Sequence, residues 1–172
     1  MPGGLADNNP CNLRVAKVIW TGQIPSTDGF SNFSSLAYGI RAWIVNLRHQ
    51  VNVNGLGTYQ QYLSAYAPSS ENSPTYPADV CGSDFNPTDQ IALDPTSLQT
   101  LFFNQMAHEI SADDAATVQP SDFQAALDLF TNSPTGVIYG VAGILPDNYA
   151  FVILVVCLLA SAIIVGIKAF SK

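Results

Sequence analysis

Residues 150–167 read AFVILVVCLLASAIIVGI, eighteen positions without a charge or a proline. At ~1.5 Å per residue, a helix of that length crosses most of a ~30 Å hydrocarbon core. Only Ser161 and Gly166 interrupt the apolar character, and a helix satisfies its own backbone hydrogen bonds in lipid. A buried core helix fits poorly, because every face of the segment is apolar and the stretch ends the chain. The stretch therefore predicts one transmembrane helix over 149–170, and the rest of the chain must fold as something attached to it.

Charge gives that attachment a direction. All 13 acids precede the apolar stretch, whereas two of the six bases, Lys168 and Lys172, follow it. The positive-inside tendency places this basic tail on the cytoplasm-like side and the acidic N-terminal part on the other. The opening MPGGLADNNP has neither the basic start nor the apolar centre of a signal peptide, so a tail-anchored arrangement is expected. The whole chain has net charge −7 and its N-terminal part is more acidic still, which makes that part a poor general binder of nucleic acid, since it has few cations with which to displace phosphate counterions.

Residue periodicity predicts a mainly α domain over 1–112, a connector over 113–148 and the anchor. VAKVIW reads as a short strand or extended segment, and the breakers Gly22, Pro25 and Gly29 mark a loop. Ser34 or Ser35 caps a helix to about Val51, with Leu36, Ile40, Trp43, Ile44 and Leu47 on one face. TYQQYLSAYA reads as a second helix stopped by Pro68, and Ser73-Pro74 as the start of a third. A fourth begins at the cap Asp94-Pro95 and carries Leu98, Leu101, Phe102 and Met106 on one side. ADDAATVQP reads as a polar linker, followed by a short amphipathic helix with Phe123, Leu127 and Phe130. The apolar run 137–145 is too short to cross a bilayer and suits an interfacial or bent segment. Of the three cysteines, Cys157 lies in the span as an apolar filler, while Cys11 and Cys81 are left either free or paired.

Only two glutamates occur, Glu71 and Glu109. Glu109 falls three residues after Met106 and seven after Phe102, on the apolar side of its helix and at the C-terminal end. Burial and the helix dipole both disfavour its charge there, which is what a general acid needs near neutral pH. The competing reading is a frayed last turn in which Glu109 reaches water. Glu71, in the loop APSSENSPTY, suits a second carboxylate, a sugar contact or a helix-start carboxylate. Tyr59, Tyr62, Tyr66 and Tyr76 surround that loop and suit stacking on sugars, though Tyr59, Tyr62 and Tyr66, at helical spacing, equally suit internal packing. His108 adjoins Glu109 but points about 100° away around the helix, toward a packing or surface role. Two distant histidines offer no metal constellation, and GLG at 55–57 lacks the third glycine of a phosphate loop.

One ordered set of motifs is more specific than any of these. Asn8-Asn9-Pro10-Cys11-Asn12-Leu13-Arg14 is followed by Trp20-Thr21-Gly22, Phe30-Ser31-Asn32-Phe33 and Gly39-Ile40-Arg41-Ala42. Tyr66-Ala67-Pro68-Ser69-Ser70-Glu71-Asn72 and His108-Glu109 complete the series. In order and spacing this resembles a family of phage-borne peptidoglycan-degrading domains with a lysozyme-like fold. Cys11 stands where that family has glycine, and Ile110-Ser111 where Asn-Gly often follows the His-Glu pair.

The resemblance implies a lysozyme-like α (α+β) domain, circularly permuted so that the helix ending in the catalytic glutamate comes last. It makes Glu109 the acid/base, with Glu71, Asn72, Tyr66 and Tyr76 as substrate contacts, and it requires no cofactor and no metal. The implied activity is cleavage of the MurNAc-GlcNAc bond by a lytic transglycosylase or a muramidase. The implied partners are peptidoglycan, a lipid membrane and other virion proteins, and the implied location is a virion membrane. A degenerate lysozyme-like domain that only binds glycan, or is a structural piece of a virion, is the rival expectation.

Overall fold

A computed structural model describes residues 4–68, 73–132 and 137–138 of the chain. They form a mainly helical unit that runs through Ile138. A 3-10 turn at Leu5–Asp7 leads into two small antiparallel ribbons, made by β1 (Ile19–Trp20), β2 (Gln23–Ile24), β3 (Asn32–Phe33) and, at the far end of the unit, β4 (Val137–Ile138). β2 pairs with β3, Gln23 opposite Phe33, and β1 pairs with β4, Ile19 opposite Ile138. Among the described residues, six α-helices lie between β3 and β4: α1 (Leu36–Asn52), α2 (Tyr59–Tyr66), α3 (Tyr76–Cys81), α4 (Pro95–Glu109), α5 (Ala112–Ala115) and α6 (Pro120–Asn132).

α1 is the central helix. Ile40, Trp43, Ile44 and Leu47, one turn apart along a single face, are fully buried, and Leu36 packs at the edge of the same stripe. Trp43 meets Phe102 of α4 edge-on at 5.4 Å between ring centres, and Phe102 in turn meets Phe123 of α6 at 5.5 Å. This aromatic chain ties three helices together, and burying a side chain the size of Phe123 contributes about 2–3 kcal/mol. α6, whose residues fall in the expected connector, thus lies along α1 with Phe123 and Ala126 in the core. The Arg48 guanidinium covers the Phe130 ring at 5.0 Å and donates to the Leu93 carbonyl at 2.9 Å, closing that side.

Local sequence explains where most helices begin. Thr58 and Gln61 form a reciprocal capping box at the start of α2, and the Asp94 carboxylate accepts from the amides of Thr96 and Ser97 at the start of α4. Two expectations need correction. The third helix starts at Tyr76 with Pro77 in its first turn, because Ser73-Pro74 is used for a turn in which the Ser73 carbonyl accepts from the Tyr76 amide. The stretch after Ser111 is not a bare linker: Ser111 caps α5 by accepting from the Asp114 amide, and Val118 is buried.

Close approach fixes the N-terminal loop on α1. A Cβ at Gly39 would lie 1.7 Å from the backbone oxygen of Asn8, so only glycine lets the loop rest there. Asn9 is fully buried, and its side chain both accepts from the Leu13 amide (2.8 Å) and donates to the Leu13 carbonyl (2.9 Å). Asn8 and Asn12 take left-handed backbone conformations at φ +52° and +53°. Cys11 does not, so the glycine that stands there in the resembled family is not needed for the conformation adopted here. Cys11 and Cys81 are buried and free. Among the described residues no helix is long and apolar enough to cross a membrane, and the span expected over 149–170 lies outside them.

Candidate functional site

α4 carries two polar side chains one turn apart on its buried side, Gln105 and Glu109. Gln105 is fully buried, and its Oε1 accepts from Trp43 Nε1 at 3.0 Å and from the Tyr62 hydroxyl at 3.3 Å. Its Nε2 is buried without a partner among the described residues. Such an orphan costs about 1–3 kcal/mol, and the fixed Trp43 donor leaves the amide no better orientation.

Glu109 closes α4, and the chain leaves through Ile110 in an extended conformation (φ −129°). Buried Ile110, under Gly4, and the Ser111 cap of α5 hold that exit, so the helix end is not frayed. The Glu109 carboxyl is partly buried and grips two donors. The Tyr76 hydroxyl donates to Oε1 at 2.5 Å, and Asn12 Nδ2 reaches Oε2 at 3.3 Å while donating to the Glu109 backbone carbonyl at 2.7 Å. Asn12 is itself oriented by its Oδ1, which accepts from the Gly4 amide at 3.0 Å.

Burial pushes the Glu109 carboxyl above its ordinary range. The Tyr76 and Asn12 donors, and the charges of His108 and Arg14, pull it back only in part. The same environment pushes the Tyr76 hydroxyl up, by burial first and by the Glu109 charge second, so Tyr76 remains a donor. Burial also raises the Cys11 thiol, with Glu109 adding to it, which makes Cys11 an inert neutral neighbour. Tyr66 donates a short hydrogen bond to the Cys11 carbonyl, and burial together with the nearby Cys11, Tyr62 and Glu109 raises it as well.

Three of the five site residues expected from sequence are thus gathered in one cluster: Glu109, Tyr66 and Tyr76. Tyr76 touches the carboxyl through its hydroxyl, rather than offering a free face for stacking, and its ring meets exposed His108 edge-on. Tyr59 stacks on Phe85 and Tyr62 is in the core, so both serve packing. Glu71 and Asn72 lie outside the described residues. Asn12, which bonds the carboxyl, and Gln105, one turn before it on α4, were not singled out by residue patterns. Gln105 had one signal, a carboxamide in an apolar stripe four residues before Glu109. Asn12 had none beyond its place in the first motif.

Chemically, the cluster presents one carboxyl whose hold on its proton is strengthened by burial, with a hydroxyl and a carboxamide placed to stabilise it once the proton is given up. Among the described residues no group of three or more His, Cys, Asp or Glu side chains is placed to hold a metal ion. No protein-family model matches the chain, and no curated protein is similar enough to count as a relative.

Proposed function

We propose that this chain is a peptidoglycan lytic transglycosylase with a lysozyme-like, circularly permuted catalytic domain. In this reading a C-terminal helix over 149–170 holds it in a virion membrane, where it opens the host wall during phage entry. The observation that carries the reading is Glu109: a partly buried carboxyl, raised above its ordinary range, at the end of a helix and gripped by Tyr76 and Asn12. Its neighbours come from the motifs on which the resemblance rests, Asn12 from the first and His108-Glu109 from the last. Those motifs also have physical employment, since Asn8 and Gly39 meet backbone to helix and Asn9 ties down Leu13.

In the proposed reaction, Glu109 protonates the glycosidic oxygen between N-acetylmuramic acid and N-acetylglucosamine, and the bond from that oxygen to C1 of the muramyl residue breaks. The positive charge developing at C1 faces the new carboxylate, which Tyr76 and Asn12 stabilise by hydrogen bonds. The muramyl 6-hydroxyl then attacks C1 and gives its proton to Glu109, closing a 1,6-anhydro ring and restoring the acid. One carboxyl serves both steps, whereas hydrolysis requires a second to activate water or form a covalent intermediate.

The test is to incubate the detergent-solubilised full chain, and Glu109→Gln beside it, with purified peptidoglycan and to identify released muropeptides by mass spectrometry. Anhydro-muropeptides from the wild-type chain alone are expected. Reducing-end products would make it a hydrolase, and no release by a folded wild-type chain would leave a glycan-binding or structural virion protein.

A further inference from the structure

We propose that a small cleft between α1 and α2, lined by Asn46, Gln50, Tyr62, Ala65 and Tyr66, binds the 2-acetamido group of an N-acetylated aminosugar. The assignment rests on reading Glu109 as the acid of a glycan-cleaving enzyme and adds a subsite to it.

The cleft offers about 200 Å³, including space open to solvent. That is below the roughly 300–1,000 Å³ of a pocket enclosing a whole drug-sized ligand, so it suits one substituent of a longer chain. Its lining has no ionisable group other than the two tyrosine hydroxyls, and both are pushed upward by burial, so the cleft presents neutral polar groups. An ionic substituent would find no counter-charge there.

The polar groups fit an amide. Asn46 and Gln50 stand one turn apart on α1, and Gln50 Nε2 comes only to 3.5 Å from Asn46 Oδ1, at the limit of a hydrogen bond. Asn54 Nδ2 donates to Gln50 Oε1 at 2.7 Å and occupies that oxygen. What remains for a ligand is the Gln50 N–H donor and the Asn46 carboxamide, which can both accept and donate. An acetamido group needs one acceptor for its N–H and one donor for its carbonyl. Its methyl needs a dry wall, which Ala65 and the tilted rings of Tyr62 and Tyr66, 5.7 Å apart, provide.

Tyr66 connects this cleft to the carboxyl. Its ring lines the cleft, while its hydroxyl donates to the Cys11 carbonyl, next in the chain to the Asn12 that holds Glu109. A substituent seated beside Tyr66 therefore touches the residue that also braces the Cys11-Asn12 loop, so the cleft and the acid share one support. The cleft would select for N-acetylated strands, since a free amine at that carbon would bring an ammonium into a cleft without an anion.

The experiment uses the full chain in detergent with Glu109→Gln, which prevents cleavage, and the probes tetra-N-acetylchitotetraose and its de-N-acetylated counterpart. Isothermal titration should show the acetylated tetramer binding at least tenfold more tightly. Adding Asn46→Ala and Gln50→Ala, both at partly exposed helix positions, should weaken it about tenfold; with Glu109 restored, the same pair should raise KM on peptidoglycan with kcat nearly unchanged. Equal affinity for the two tetramers, or unaltered binding and KM in the folded double variant, would overturn the subsite while leaving the Glu109 reading intact. No binding of either tetramer together with no turnover of peptidoglycan would overturn both.

Discussion

The Tyr76 hydroxyl donates to Glu109 Oε1 at 2.5 Å, joining the first residue of α3 to the last residue of α4. This bond favours the charged carboxylate, and so opposes the burial that raises Glu109. Tyr76→Phe should therefore raise the carboxyl further. The limb of the pH–rate profile that falls with rising pH, where the acid is lost, moves to higher pH in the variant. The rate at its optimum falls by about tenfold, the equivalent of one hydrogen bond of about 1.4 kcal/mol. Because the chain has only two glutamates, Glu71 and Glu109, carbon-13 labelling of glutamate gives two carboxyl signals whose titrations are directly comparable. A Glu109 signal that moves to lower pH in Tyr76→Phe would contradict the role given to this bond.

Glu109→Gln should abolish most activity, about 10²–10⁴-fold for loss of a general acid, and yet melt at higher temperature than the wild-type chain near neutral pH. Burial raises Glu109 in the folded state above its ordinary value of 4.5. Between that value and the folded one, the folded chain holds a proton that the unfolded chain has lost. Stability from this group is thus fully present below the ordinary value and declines as pH rises through the folded value. The variant escapes that decline. Calorimetric scans should show its advantage at about pH 8 and show it vanishing at about pH 4, where both chains are neutral at this position.

Much of the helical frame was legible because its signals are local. The stripe of α1, the capping residues Thr58 and Asp94, and the face of α4 each sit within a few residues of what they determine. The start of α3 was misplaced because Ser73-Pro74 satisfies a turn as well as it would a helix start. At the candidate site, Glu109 was legible from its place on α4. The bond that orients it was not, since Asn12 is 97 residues away in sequence. Tyr76 was legible as a neighbour and misread as a stacking surface, because a tyrosine shows in sequence neither which end is occupied nor by what.

Asn12 can be tested by separating its backbone from its side chain. At φ +53° it occupies a left-handed conformation that asparagine tolerates better than alanine. Asn12→Gly keeps the conformation and loses the bonds to the Gly4 amide and to both Glu109 oxygens, at about 1–2 kcal/mol. Asn12→Ala should cost about 1 kcal/mol more, through strain alone. Urea unfolding of the two variants gives the difference. Both should lose activity similarly, because the side chain, not the backbone, reaches the carboxyl.

Gly39→Ala separates two physical arguments of opposite sign. Inside α1, helix propensity favours alanine over glycine by about 1 kcal/mol, which predicts a more stable chain. Packing predicts the reverse: the new Cβ would sit 1.7 Å from the Asn8 oxygen and 2.9 Å from its carbonyl carbon, and backbone cannot swing aside as a side chain can. The N-terminal loop must lift from α1, and Asn12 moves with it, away from Glu109. We expect a loss of about 3 kcal/mol or more, together with reduced activity. Gly55→Ala is the matching control, with φ +72° but nothing within 4 Å of the added carbon. It should cost only the left-handed strain of about 1–2 kcal/mol and leave activity unchanged. A Gly39→Ala chain as stable as wild type would mean that the loop does not rest on α1, and the positioning of Glu109 by Asn12 would fall with it.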